Sequence, residues 1–283
     1  MSEKKFVVEK TGAMHIHYEY TEKLFSGQSD FQKVEVYDTE EYGKMLWNDD
    51  LVMVSERDEF VYHDMITHVP MFSHPNPKKV LIIGGGDGGT AREVLRHPTV
   101  EKADMVEIDG MVVEACRKFI PQTACGMDDD PRFTLYIEDG VKFAKETKEK
   151  YDVVIVDSSE PMGPSTPLFG PEFYKDLFAC MTDEGIVVSQ GESAYYNQPM
   201  QKKLAEILSN QFPIVQYYNY NNLTYPGGLW SFSYASKKYR PESFDSKRVK
   251  DSGLDFQYYS AELHTGAFKL PAFQADMLGP YLK

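Results

Sequence analysis

The stretch 79–90, KVLIIGGGDGGT, decides the fold. A short apolar run opens directly onto a glycine-rich turn that holds one carboxylate, Asp87, and a helix is expected from there through His97. Strand, tight turn and helix in that order begin an α/β unit. Further along the chain, strands are expected at 103–108, 133–137, 151–156 and 185–189, with a helix over 110–119 and more helices between and after. Near-continuous apolar strands separated by helices imply a parallel sheet covered on both faces. Segments 214–220 and 229–235 lie too close for a helical crossover, so an antiparallel hairpin is expected to close the sheet.

Before residue 70 the texture differs. Segments 33–37 (KVEVY), 44–47 (KMLW) and 51–54 (LVMV) alternate between turn residues, the pattern of a small antiparallel sheet. Residues 56–65 then read as a helix with Phe60 and Met65 turned inward. The expected organisation is an N-terminal β-strand domain over residues 1–70 and a larger α/β catalytic domain over residues 71–283.

Bulk properties narrow the function. A chain of 283 residues, 42% hydrophobic, can bury a substantial core. It has no run of eighteen apolar residues, and its opening MSEKK leads into no apolar signal, so a cytoplasmic protein without a membrane partner is expected. Cys116, Cys125 and Cys180 lack metal-ligand spacing and read as small buried residues, with no metal site expected. The net charge of −14, without any basic block, argues against nucleic acid as a partner. Surplus carboxylate favours cationic ligands if it converges on a cleft.

Ligands of open α/β sheets sit beyond the carboxyl ends of the strands. Those ends deliver Gly84, Gly85 and Asp87, then Glu107, then Asp139-Gly140, then Asp157-Ser158-Ser159-Glu160, and last Gln190 and Glu192. The glycines permit close approach of a ligand to backbone amides. Glu107, about twenty residues on, stands where an acidic side chain grips both ribose hydroxyls. Together they specify adenosine. Asp87 then narrows the choice, because a carboxylate there repels a pyrophosphate and also the carboxylate of intact S-adenosylmethionine. A cofactor tail ending in an ammonium alone fits, as in decarboxylated S-adenosylmethionine.

Asp157 and Glu160 lie three residues apart before a Pro/Gly-rich loop. Alkylamines have a pKa near ~10.4 and are unreactive when protonated. A carboxylate in a partly dry site can hold the ammonium and accept its proton, while a second holds the far end of a diamine. Tyr62, Tyr195, Tyr196, Tyr225 and Trp230 are expected near this cleft, with Tyr62 and Tyr225 the leading candidates to wall an alkyl chain. His63 reads equally as a satisfied helix histidine or as a pocket residue.

These residues resemble the polyamine aminopropyltransferases of the spermidine synthase type. The resemblance spans nearly the whole chain and is strongest at 55–65 (SERDEFVYHDM), 74–93 (HPNPKKVLIIGGGDGGTARE), 106–110 (VEIDG), 156–169 (VDSSEPMGPSTPLF), 224–232 (TYPGGLWSF) and 257–273 (QYYSAELHTGAFKLPAF). It implies a Rossmann-like methyltransferase-type sheet behind a small N-terminal antiparallel β-domain, assembled as a homodimer or homotetramer. It further implies that Gln32, Glu107, Asp139, Gly140 and Pro164 contact the nucleoside, and that Asp87 binds the aminopropyl amine. Tyr62, His63, Asp157, Ser158, Ser159, Glu160 and Tyr225 would border putrescine, with Asp157 as the catalytic carboxylate and 158–166 as a gate. Four departures from the family pattern stand out. Glu160 stands where many relatives have Asp, Met53 where several have Gln, and Asn222-Leu223 where Ile-Pro is expected; an N-terminal tryptophan is absent.

The implied reaction converts putrescine and decarboxylated S-adenosylmethionine into spermidine, methylthioadenosine and a proton. The alternatives are another acceptor such as cadaverine or agmatine, a putrescine N-methyltransferase using S-adenosylmethionine, and a non-catalytic polyamine or nucleoside sensor.

Overall fold

The structure is a computed structural model that describes residues 4–124 and 126–283; Cys125 lies outside them. Cys116 and Cys180 are free and buried, as expected. The chain opens with a hairpin of β1 (Lys5–Thr11) and β2 (Met14–Tyr20), then an antiparallel meander of β3 (Glu22–Gln28), β4 (Lys33–Thr39), β5 (Gly43–Asn48) and β6 (Leu51–Ser55). The first three strands carry mostly exposed side chains on one face, so their alternation is diluted in sequence and only the later strands stand out.

Helix α1 (Glu59–Ser73) follows, and it continues past Met65, where the sequence reading ended it, through Pro70. The cause is burial: every residue but Phe60 is buried, so no polar face marks its course. Its start is bolted by Asp58. That carboxylate accepts the Ser55 hydroxyl at 2.6 Å, the backbone N–H groups of Leu223 and Thr224 at 2.9 Å each, and the Thr224 hydroxyl.

The α/β part alternates β7 (Lys79–Gly84), α2 (Gly89–Leu95), β8 (Lys102–Glu107), α3 (Gly110–Phe119), β9 (Phe133–Ile137), α4 (Gly140–Glu146) and β10 (Tyr151–Asp157). A 3₁₀ segment (Gly163–Phe169), α5 (Pro171–Cys180), β11 (Met181–Ser193), α6 (Gln198–Gln211), β12 (Ile214–Asn221) and β13 (Leu229–Ser236) complete it, before short C-terminal helices. The seven strands order as β12-β13-β11-β10-β7-β8-β9, parallel except for β13, which pairs antiparallel with both β11 and its hairpin partner β12 near one edge. The α/β class and the closing hairpin expected from sequence are thus present. No described helix is long and apolar enough to cross a membrane.

Register positions the chemistry. Ile83 pairs with Val106 on one side and Val156 on the other, and Gly84 pairs with Asp157. The ends of β7, β8 and β10 are therefore level. The four-stranded meander lays Val34, Val36, Leu46 and Val54 against Val112 and Cys116 of α3 and Ile120 just beyond it, and Gln32 in the β3–β4 turn reaches the cavity at those strand ends.

Gly84 allows the turn. Its φ is +84°, and a Cβ there would sit 2.1 Å from the Asp157 carbonyl oxygen, a backbone atom with nowhere to go. Left-handed strain alone costs about 1–3 kcal/mol for a residue with a side chain. Gly84→Ala is therefore expected to lose at least about 2 kcal/mol of unfolding free energy, measured by urea titration; a change within error would mean the turn relaxes freely.

Candidate active site

The fifteen residues assigned above to the nucleoside, the donor amine or the diamine all line one cavity at the level strand ends, together with Met53, Gln190, Asn222 and Trp230, while Glu192 does not reach it. Tyr195 and Tyr196 do not join them. They are 57% and 45% exposed, Tyr195 stacking on Phe273, so the expectation that they border the cleft is corrected. Turn residues 194–196 follow a bulge in β11, which redirects the side chains. Leu223 also points outward, at 68% exposure.

At the end of β8, Glu107 Oε1 accepts the Asp109 N–H at 2.8 Å; burial lifts the carboxyl to about 7 against the pull of that hydrogen bond, with the Asp109 charge adding repulsion. Asp109 caps α3 through the Met111 N–H and receives the Gln32 amide at 3.0 Å and the Ser29 hydroxyl at 2.7 Å. Asp139 caps α4 by accepting the Val141 N–H at 2.8 Å through Oδ1. Helix caps and expected ligand contacts therefore share residues: capping fixes the carboxylate's direction. Asp109 was not singled out from sequence, although its place before α3 is an N-cap signature.

At the centre, Asp157 accepts the Tyr62 hydroxyl at 2.8 Å through Oδ1 and the Thr90 hydroxyl at 2.6 Å through Oδ2. Burial raises its pKa and Asp87 raises it further, against the opposing pull of His63 and the two hydroxyls. Thr90 is another residue the sequence reading passed over; its position in the first turn after the glycine loop was the available signal. The Tyr62 ring packs edge-on against Tyr225, Tyr220 and Phe232, and the Tyr225 hydroxyl donates to the Met53 carbonyl at 2.6 Å.

His63 is a pocket residue. Its Nε2 lies 3.1 Å from Asp87 Oδ1 and its Nδ1 bonds Glu59. Burial pulls its pKa down, but Asp87 and Glu59 outweigh that and hold it well above the usual histidine range. Ligand atoms of His63, Asp87 and Asp157 lie within 4.8 Å of one another, as do those of buried Asp64, His68 and Glu93. The first trio opens on the cavity, where its two carboxylates, Asp87 and Asp157, can face a cation while the protonated His63 is held between Asp87 and Glu59. The second is consumed internally: Asp64 accepts three backbone N–H groups from Gln257, Tyr258 and Tyr259, and Glu93 pairs with Arg92 and Arg96. The first trio joins α1, the glycine loop and β10, whereas the second joins Asp64 and His68, one turn apart on α1, to Glu93 of α2.

Toward the far end, Glu160 is lifted to about 7, chiefly by burial, with its own backbone hydrogen bond pulling down and Glu192 pushing up. Glu9 of β1 is lifted to about 8 by burial and by Glu160. Among the described residues, Glu160 Oε2, Glu9 Oε2, Ser158 Oγ and the Tyr220 hydroxyl have no hydrogen-bond partner. The two carboxylate oxygens can accept a hydrogen bond, and the two hydroxyls can donate or accept one. Glu192 is buried behind them in left-handed conformation (φ +66°), held by Asn197 and Gln190. The 158–166 loop is tied by the Ser159–Ser165 hydroxyl contact at 2.6 Å, with Pro164 on the cavity side.

A mostly parallel seven-stranded sheet with a glycine turn and buried carboxylates from several strand ends gathered at one cavity is a Rossmann-like arrangement. The comparisons give the family. Residues 59–247 match the spermine/spermidine synthase domain and residues 8–56 the spermidine synthase tetramerisation domain, and the chain belongs to this family of polyamine aminopropyltransferases. It is similar to the polyamine aminopropyltransferases of Clostridium perfringens (46% identical, covering 96% of this chain and 97% of that one) and Methanocaldococcus jannaschii (46% identical, 89% and 87%). Among solved structures it resembles a spermidine synthase in complex with the transition state analogue AdoDATO (TM-score 0.95, 40% identical, 98% and 95%). Spermidine synthase from Thermotoga maritima is similarly close (TM-score 0.92, 40% identical, 97% and 94%).

Proposed function

We propose that this protein transfers the aminopropyl group of decarboxylated S-adenosylmethionine to putrescine, yielding spermidine, methylthioadenosine and a proton. The observation that carries this reading is the placement of Asp87 and Asp157 in one cavity, flanked by Tyr62 and ending at Glu160, whose Oε2 has no partner. The adenosine lies between Gln32, Glu107, Asp139, Gly140 and Pro164, and Asp87 receives the ammonium of the transferred chain. The acceptor diamine runs past Tyr62 and Tyr225, with one nitrogen at Asp157 and the other toward Glu160, beside Ser158 and Ser159.

In the reaction the attacking nitrogen forms a bond to the methylene next to sulfur. The carbon–sulfur pair returns to sulfur, which leaves as a neutral thioether, and the ammonium proton passes to Asp157 and on to solvent. The sulfonium is already a good leaving group, so the residues contribute alignment, deprotonation and water exclusion. The similarity to a spermidine synthase that binds a transition state analogue supports this direct displacement. The match to a tetramerisation domain supports a homo-oligomer.

The test is a competition assay supplying decarboxylated and intact S-adenosylmethionine with putrescine, cadaverine and agmatine, read by product mass. Spermidine as the dominant product is expected. Methylputrescine would turn the assignment to an N-methyltransferase, another aminopropylated amine would move the acceptor, and binding without product would make the protein a sensor.

The raised Glu160 carboxyl gives a pH signature. An ammonium docking beside it favours the ionised form, so amine affinity should weaken as pH falls through about 7, by at most about tenfold per unit for one group. Folding stability moves the opposite way. The native state binds the extra proton between the ordinary carboxylate range and about 7, so stability of the empty protein declines as pH rises through that window. KM for putrescine measured on both sides of neutrality checks this, and Glu160→Gln should flatten the profile.

A further inference from the structure

Behind Asp87 lies a line of charged side chains that the reaction as described does not use. Arg92 of α2 clamps Glu59 at two points, Nη1 to Oε1 and Nη2 to Oε2, both at 2.9 Å. The guanidinium is itself fixed, Nε to Glu93 at 2.9 Å and Nη1 to the Gln122 carbonyl at 3.0 Å. Glu59 Oε2 bonds His63 Nδ1 one helical turn on, and His63 Nε2 meets Asp87 Oδ1 at 3.1 Å. The imidazole rests over Gly89, where a Cβ would come within 2.1 Å of Cε1, so the backbone is shaped to the ring.

The geometry dictates the protonation state. With a carboxylate oxygen on each ring nitrogen, either neutral tautomer leaves a lone pair facing an anion, and only the imidazolium donates to both. The charged groups around the ring are Glu59 from α1, Arg92 behind it on α2, Asp87 from the glycine loop and Asp157 from β10. Asp87 Oδ1 is taken by His63 and the Gly89 N–H at 2.8 Å, which leaves Oδ2 for a ligand.

We propose that Glu59, clamped by Arg92, is a positioning residue that keeps His63 doubly protonated and braced against Asp87, presenting the free carboxylate oxygen to the ammonium of the donor. Resting on the aminopropyl-donor reading, this explains how two cations share Asp87: Glu59 supplies the second anion that the imidazolium needs. Without it, the arriving ammonium meets an undercompensated positive ring, or His63 sheds its proton and alters the charge beside Asp157.

The test is Glu59→Gln, with Arg92→Lys as the conservative companion that keeps the charge but not the fork. His63 protonation is read by NMR of protein carrying ¹⁵N-labelled histidine, assigned against His63→Gln. In the parent protein the imidazolium should persist above the ordinary histidine range. In Glu59→Gln it should titrate lower, with kcat/KM for the donor falling roughly tenfold and by clearly more than kcat/KM for putrescine at saturating donor. Arg92→Lys should fall between. An unmoved His63 titration in Glu59→Gln overturns the proposal, as does an equal loss for both substrates that tracks a lowered melting temperature. Should the parent protein fail to use the decarboxylated donor at all, the functional reading fails, while the His63 titration still decides the role of Glu59.

Discussion

Asp157→Asn is expected to lower kcat by roughly 10²–10⁴-fold while binding of methylthioadenosine stays close to that of the parent protein. The variant removes the proton acceptor and little else. Both groups that hold Asp157 are hydroxyls, Tyr62 and Thr90, and a hydroxyl can turn from donor to acceptor when an amide nitrogen replaces a carboxylate oxygen. The side chain therefore keeps its place, and the protein should fold. What is lost is the anion that orients the attacking ammonium and takes its proton. Single-turnover measurements with preformed donor complex, alongside calorimetry with methylthioadenosine, separate these effects. Unchanged turnover would remove Asp157 from the chemistry.

Asp87→Asn carries the second large effect, on the donor. The amide oxygen can still serve His63 and the Gly89 N–H, so the loop should hold its shape. The ligand-facing atom becomes a neutral donor. A hydrogen bond to a charged group is worth about 1.5–3 kcal/mol, so kcat/KM for decarboxylated S-adenosylmethionine should drop roughly 10–100-fold. Discrimination against intact S-adenosylmethionine should narrow by at least as much, because repulsion of its carboxylate vanishes too. Competition between the two donors measures both numbers in one vessel. A variant that discriminates as sharply as the parent would place donor selection elsewhere in the cavity.

The parts of this site legible in sequence are those that follow from strand ends. Gly84, Glu107 and Asp157 end apolar runs, and parallel register levels those ends whatever the loops do. Gln32 and Pro164 carried no such local signal and came from family resemblance alone. The hydrogen bonds that give the residues their properties were hidden where Thr90 and Asp109 act on partners in other elements, whereas Glu59 and His63 stand one turn apart on α1 and their i,i+4 spacing was a signal left unread. Glu9 was hidden for a related reason: in β1 it is one carboxylate in an alternating strand, and only folding sets it near Glu160. The end of α1 was obscured by burial on all sides, and the outward turn of Tyr195 and Tyr196 by the bulge before them.

Leu223 stands where the sequence resemblance implies proline, and the backbone N–H that proline would lack is one of those captured by Asp58. The side chain is open to solvent while the amide beneath it is tethered to the root of α1. In hydrogen–deuterium exchange, the amides of Leu223 and Thr224 should accordingly resist labelling far longer than their surface position suggests, opening only when the N-terminal turn of α1 opens with them. The acceptor side of the slot and the helix that carries Tyr62 and His63 would then share one cooperative unit, and loosening the loop to admit a bulkier amine would loosen the donor side as well.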